Sequence, residues 1–235
     1  MVVEKAATGE PTTITLLPLE SGDRLTRTEF ERRYQAMPHL KKAELIEGVV
    51  YVPSPVRSTS HAQPHGCIIT WLGVYAAATP GVELNDNATV RLDLDNEPQP
   101  DALLRLDERV GGHSRLSPDD YIEGGPELIV EVAASSAAYD VHDKLRVYRR
   151  NQVQEYLVWQ VHEHRLDWWR LQNGAYVPLP ADTGGIVRSV VFPGLWLAIP
   201  ALLAGQLAEV LTTLQAGLAT PAHRAFLEQL STRQR

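Results

Sequence analysis

The sequence predicts an α/β or α+β domain built on a mixed central β-sheet. Three observations lead there. Helical and strand-like periodicities follow one another as helix, strands, helix, several strands, helix, more strands and terminal helices. A chain of 235 residues suits one domain with additions and can bury a sizeable core. At 44% hydrophobic and 22% charged residues the composition is that of an ordinary globular protein, without internal repeats or low-complexity blocks.

Thr26 and Glu29 have capping-box spacing before "FERRYQAM", which predicts a helix from about 26 that stops near Pro38. "AELIEGVVYVP" reads as an extended segment with a turn at Glu47-Gly48. From His61 to Ala78, the apolar residues Ile68, Ile69, Leu72, Tyr75 and Ala76 make one helical face. "NATVRLDLD" alternates Val90, Leu92 and Leu94 with Arg91, Asp93 and Asp95, as a strand with one wet face would. "DALLRLD", 101–107, is a further short strand. The glycine-rich and proline-containing stretch 107–126 reads as a long loop. "LIVEVA", 128–133, is a buried strand, followed by a helix over about 139–150. "EYLVWQV" and "RLDWWRLQ" are strands, and Asn173-Gly174 marks a hairpin before "AYVPLP". "IVRSVVF" is a last strand, and helical patterns cover 200–218 and 221–233.

The net charge of −7 argues against a surface that grips nucleic acid everywhere, while leaving room for a local basic patch or an acidic metal pocket. The single cysteine, Cys67, allows no intrachain disulfide and fits a reducing compartment. The N-terminal segment has no basic-then-apolar signal pattern. The most apolar run, Leu195 to Leu211, is interrupted by Pro200, Gly205, Gln206 and Glu209, so no membrane span is expected.

The residue that stands out is Glu131, a carboxylate in the middle of an apolar strand. A buried carboxylate needs a cation, hydrogen-bond donors or a metal. A core salt bridge is one answer. Asp101 opens the preceding strand, where it could equally be a turn residue after Pro100. Lys144 lies in the next helix at i,i+4 from Asp140, which as a surface ion pair would be worth about 0.3–0.5 kcal/mol. Glu44 sits in "AELIEG" and could be an exposed hairpin charge. Adjacent strands could instead set Asp101 and Glu131 side by side, where two carboxylates repel unless a cation lies between them. Oxygen ligands of this kind suit Mg²⁺ or Mn²⁺. A nearby lysine could then orient water or meet the charge on a phosphate, which is a site for metal-assisted phosphodiester hydrolysis.

The ordered segments "AELIEG", "PQPDALLRL", "ELIVEVAASS" and "YDVHDKLRVYRRNQVQEYLVW" resemble the Uma2 family of restriction-endonuclease-like proteins, within the PD-(D/E)XK nuclease superfamily. The resemblance covers roughly 24–200, leaving an N-terminal tail, 1–23, and a C-terminal helical extension, 201–235. It implies a restriction-endonuclease-like mixed sheet flanked by helices, with the active site where central strands diverge. Pro100-Asp101 corresponds to the family's "PD" and Glu131 to its (D/E). Ala133 stands where that motif would have lysine, and Lys144 on the following helix takes the lysine's place. Glu44 corresponds to the N-terminal acidic residue. The implied catalytic set is Glu44, Asp101, Glu131 and Lys144, with Asp101 and Glu131 as metal ligands.

His61 and His65 flank Pro64 and suit the substrate side or a helix N-terminus better than a ligand pair. Ser135 could cap the next helix or touch phosphate. Arg146, Arg149 and Arg150 form a dense basic cluster with Lys144, either a solvated helix face or a phosphate-contacting surface. Possible substrate contacts are therefore His65, Ser135, Arg146 and Arg149. Trp168-Trp169 places one indole on each strand face, suggesting core plus interface. The expected protein is a divalent-metal-dependent endonuclease acting on DNA, cytoplasmic and homodimeric. The rivals are an inactive nuclease fold that binds nucleic acid or a protein partner, and an oligomer whose acidic centre is a structural salt-bridge cluster.

Overall fold

In a computed structural model, which describes residues 17–53, 57–134 and 139–233, the first helix begins as its cap spacing requires. Helix α1, Arg27–Gln35, starts where Thr26 accepts a hydrogen bond from the Glu29 N–H at 3.4 Å. The Glu29 carboxylate turns forward to Arg32 and Arg33 rather than closing a full capping box. Strands β1, Glu44–Ile46, and β2, Val49–Tyr51, pair as a hairpin. Its turn places Glu47 at φ 52° and Gly48 at φ 70°, the doubly left-handed geometry that two-residue hairpins favour. A π-helical turn, Ser58–Ala62, leads into α2, Gln63–Ala77.

Strand β3, Val82–Asp86, lies outside the sequence expectation: Val82 and Leu84 alternate with Glu83 and Asn85 over a run too short to mark it, and pairing with a neighbour makes it a strand. The strand expected over the "NATVRLDLD" segment shrinks to β4, Val90–Arg91. Asp93 ends it by accepting the Asp95 N–H and the Asn96 amide, which fold 93–96 into a turn. Strand β5 is Ala102–Leu106. The expected long loop, 107–126, contains two minimal strands, β6 (Arg115–Leu116) and β7 (Ile122–Glu123), which join β4 in a small three-stranded sheet.

Strand β8, Leu128–Ala133, is followed by a π-turn, Asp140–Lys144, that continues into α3, Leu145–Arg150. Strands β9 (Glu155–Gln160), β10 (Arg165–Gln172) and β11 (Ala175–Pro178) then complete a six-stranded sheet in the order β11-β10-β9-β8-β5-β3. The β8–β9 pair is parallel and the other pairs are antiparallel, so the sheet is mixed. A parallel pair needs a crossover, and α3 supplies it.

The expected strand 186–192 ends early, as β12, Ile186–Arg188, which pairs with β13, Trp196–Ala198. The helical pattern 200–218 divides into α4, Ile199–Leu203, and α5, Leu207–Leu218, because Gly205 takes φ 71° between them. Helix α6 is Pro221–Arg233.

One face of the sheet is covered by Trp71, Leu72 and Tyr75 of α2, which meet Leu104, Val130 and Leu157. Val210, Leu214 and Leu230 of the C-terminal helices belong to the same core. Of the Trp168-Trp169 pair, expected to put one indole on each strand face, Trp168 is the core member, against Trp71 at 5.8 Å between ring centroids. The opposite face carries Leu103, Ile129, Tyr156 and Val158 under Val147 and Tyr148 of α3. Alternation along β8 therefore gives Leu128, Val130 and Val132 to the α2 side and Ile129, Glu131 and Ala133 to the α3 side.

A second buried acid, Glu155, ties the sheet to the β12–β13 turn. It accepts from Trp168 Nε1 at 3.1 Å, Ser189 Oγ at 2.9 Å, and the Val190 and Val191 N–H groups at 2.7 and 3.1 Å. Burial nonetheless raises its pKa, with those donors acting against the rise. Truncating it leaves these donors without their acceptor in a closed interior. Glu155→Ala is expected to cost about 3 kcal/mol or more, read as a lower urea midpoint with an unchanged slope; an unchanged midpoint contradicts the role given to Glu155.

Candidate active site

The β5–β8 register sets the site. Ala102 pairs with Val130, and one step further Asp101 and Glu131 occupy matching positions. Side chains at matching antiparallel positions share a face, here the face covered by α3. The π-turn before α3 then sends Lys144 inward. Its ammonium lies 2.9 Å from Glu131 Oε1, 2.9 Å from Glu44 Oε1 and 3.5 Å from Asp140 Oδ1. Lys144 is only 3% exposed, and Glu44, Asp140 and Glu131 are equally enclosed. The surface pair expected for Asp140 and Lys144 is thus a buried one, and Glu44 is no exposed hairpin charge: pairing of Leu45 with Glu97 draws β1 against the turn that precedes β5. The Gln99 N–H also donates to Glu44 Oε1, at 2.8 Å.

Three carboxylates converge on one ammonium, so negative charge is in surplus. Burial, together with Asp140, Asp101 and Glu44, pushes the Glu131 pKa up to about 8 despite Lys144 beside it. Burial opposes the Lys144 charge, yet Glu131, Glu44 and Asp140 outweigh it and raise its pKa well above the ordinary lysine value. The Tyr148 hydroxyl donates to the same Glu131 Oε1 at 2.8 Å. The Lys144 and Tyr148 hydrogen bonds to Glu131 therefore both fall on Oε1, and among the described residues Oε2 has no hydrogen-bond donor.

Asp101 is held differently. Its Oδ2 accepts from the Val132 N–H at 2.8 Å and from His61 Nε2 at 3.2 Å. Its Oδ1 is met by Lys42 Nζ at 3.4 Å. Burial works against the Asp101 charge, but His61, Lys42 and the Val132 N–H overcome it and hold the carboxyl well below the usual range. His65 Nε2 lies 3.0 Å from the Asp101 carbonyl oxygen and 3.1 Å from Asp86 Oδ1, so it turns into the site edge. Among the described residues, His61 Nδ1, Gln99 Oε1 and the Tyr139 hydroxyl are buried without a hydrogen-bond partner.

The structure thus joins Glu44, Glu131 and Lys144 directly and sets Asp101 beside them. Lys42, His61, Asp140 and Tyr148 are further members that sequence reading did not place here. A signal existed for Tyr148 and Lys144, which are four apart on one helical face and so reach the same carboxylate. None existed for Lys42, whose role depends on where β1 docks. Arg146, Arg149 and Arg150 lie on the exposed face of α3, away from Lys144, and Arg146 pairs with Asp143 and Arg150 with Glu47. Ser135 lies outside the described residues.

Among the described residues no group of three or more His, Cys, Asp or Glu side chains is arranged to hold a metal ion. The oxygens left over still have the right chemistry. Among the described residues, Glu131 Oε2 takes no hydrogen bond, and Asp101 Oδ1 has a long contact to Lys42. Two hard carboxylate ligands are what Mg²⁺ commonly takes from a protein, with water and substrate oxygens completing its sphere.

A family model described as "Uma2: Putative restriction endonuclease" matches residues 27–200. A crystal structure described as a "putative nuclease belonging to DUF820" from Anabaena variabilis superposes with a TM-score of 0.56 at 14% identity, over 74% of this chain and 96% of that one. At that identity the likeness speaks for the fold alone. Among curated proteins, none matches this chain.

Glu131 links the site to stability. Its pKa rises from 4.5 to about 8 on folding, so between those values the folded chain binds more protons than the unfolded chain. Stability from this group is full below about pH 4.5 and is lost as the pH climbs through about 8. Glu97, also raised to about 8 by burial and by Glu31, acts in the same direction. The melting temperature is expected to fall between pH 5 and 8, and Glu131→Gln to make that fall shallower while Glu97 keeps part of it. Identical pH profiles for the two proteins would remove Glu131 from this linkage.

Proposed function

The chain belongs to the Uma2 family, within the PD-(D/E)XK-like nuclease superfamily, and from that premise we propose that it is a divalent-metal-dependent endonuclease that hydrolyses phosphodiester bonds in DNA. The observation that carries the reading is the meeting of Glu44, Glu131 and Lys144 within 2.9 Å contacts, with Asp101 at the matching position of the next strand. Four residues scattered over 101 positions of sequence converge at the centre of one sheet face.

Asp101 and Glu131 would hold Mg²⁺ or Mn²⁺. When bound, such an ion polarises a phosphoryl oxygen and makes its water a better nucleophile. The chain's own residues prepare the ligands. The Val132 N–H and His61 fix the plane of the Asp101 carboxylate. Lys144 and Tyr148 fix Glu131 through Oε1. Glu44, anchored by the Gln99 N–H, holds Lys144 from the other side. Lys144 is therefore a positioning residue, acting through the carboxylates it grips. His65, Arg146 and Arg149 are proposed on the substrate side, with the arginines on exposed α3 surface. Among the described residues no helix is long and apolar enough to cross a membrane. The single cysteine supports a reducing, cytoplasmic setting. The assembly is proposed to be a homodimer, the commonest closed oligomer.

One observation favours the idle-fold reading: Lys144 is enclosed by three carboxylates, as in a purely structural salt-bridge cluster. Cleavage of a panel of nucleic acids with Mg²⁺ or Mn²⁺ separates the two. The wild type is expected to cut duplex DNA in a metal-dependent way, and Glu131→Gln to lose about 100-fold or more in rate. Lys144→Met should abolish cutting and also cost about 3–5 kcal/mol, because it strands buried carboxylates. A folded wild type that cuts no substrate on the panel, with the Lys144→Met stability loss still present, supports the structural cluster instead. Light scattering at micromolar concentration checks the assembly: a dimer mass is expected, and a monomer mass rejects it.

A further inference from the structure

The two lysines of the site are held in opposite ways. Lys144 is buried, donates a hydrogen bond to Glu131 Oε1 and lies within ion-pair distance of Glu44 and Asp140. It cannot turn to a substrate without taking its charge away from the buried Glu44 and Glu131. Lys42 lies just outside β1, is 26% exposed in its side chain, and among the described residues makes long polar contacts, 3.4 Å to Asp101 Oδ1 and 3.3 Å to Asn87 Oδ1. Its departure costs less than that of Lys144, since a long ion pair with a partly exposed ammonium is worth less than a fully buried one. Asp101 itself would not be disturbed, because its orientation depends on Oδ2, held by Val132 and His61.

Building on the nuclease reading above, we propose that Lys42 is the phosphate-contacting residue of this site, serving as counter-ion to Asp101 Oδ1 until a divalent cation takes that oxygen and then turning to a phosphate oxygen of the DNA backbone. The same oxygen cannot serve both cations well: two positive charges a few ångströms apart repel, so binding of one displaces the other. A displaced ammonium beside a bound phosphodiester finds a new partner at once, on a four-carbon stem with three rotatable donors. In a chain of net charge −7, such a release gives the site a cation where the substrate arrives. Metal and DNA binding thereby become coupled through one side chain.

The coupling gives opposite signs for one substitution. Calorimetry without DNA measures Mn²⁺ binding, and anisotropy with saturating Mn²⁺ measures binding of a short fluorescent duplex whose phosphorothioate linkages resist hydrolysis. Lys42→Met is expected to bind Mn²⁺ about three- to ten-fold more tightly, because its competitor is gone. It should bind the duplex about three- to ten-fold more weakly, with the salt slope reduced by about one. Lys42→Arg should restore duplex binding. Lys41→Met, which removes an exposed charge from the neighbouring position, should change neither. If Lys42→Met does not fold, Lys42→Gln gives the same two readouts. Wild-type binding of both Mn²⁺ and duplex, with Lys42→Met unchanged or matched by Lys41→Met, overturns this assignment alone. A wild type that binds neither overturns the nuclease reading and this assignment with it.

Discussion

An ammonium buried under three carboxylates is the feature around which the centre of this protein is arranged. Lys144 could not be enclosed alone, since a lone buried charge costs several kcal/mol. Glu131 could not stand in the middle of β8 without it. Each therefore accounts for the other, and together they explain why α3 is entered through a π-turn that carries Asp140 and Lys144 inward. They also explain why the β1–β2 hairpin docks where it does, since Glu44 completes the ring of acids around the lysine. The surplus negative charge is relieved partly by the proton that Glu131 retains to about pH 8.

Asp101 lies beside this cluster but belongs to a different electrostatic setting. Its neighbours are cationic or donating: His61, Lys42 and the Val132 N–H. One carboxylate of the pair is therefore held ionised and the other is biased toward its protonated form. Opposite environments for two adjacent acids are the usual way a protein gives them different tasks at one pH. Here the difference arises from strand geometry. Asp101 sits at the start of β5, near the N-terminal part of α2 that brings His61 and His65, whereas Glu131 lies mid-strand beneath α3.

The elements that were legible in the sequence are those whose pattern is set by local burial. The apolar face of α2, the runs of β8 and β9, the Asn173-Gly174 hairpin and the Thr26 cap all emerge as expected. Those that were not legible depend on partners distant in the chain. β3 has only a four-residue alternation of its own and is fixed by pairing along β5. The alternation across 90–95 promised a longer strand than the Asp93 side chain permits. Arg91, expected on a wet face, is instead buried between Glu31 and Asp119.

The site divides along the same line. The ordered motifs alone pointed to the nuclease-like family to which the chain belongs, because residue order and spacing are properties of the chain, and from them Glu44, Asp101, Glu131 and Lys144 are proposed as its site residues. Composition alone determined a globular chain with no intrachain disulfide, and periodicity its α/β class. What the tertiary structure decided was the company these residues keep. Whether Asp140 is a surface partner or a third buried acid, whether Lys144 is free or fully occupied, and whether any second lysine reaches Asp101 all depend on how β1, α2 and α3 dock on the sheet. Docking joins residues far apart in sequence, and a pairwise charge interaction is governed by distance and burial, which no spacing along the chain encodes.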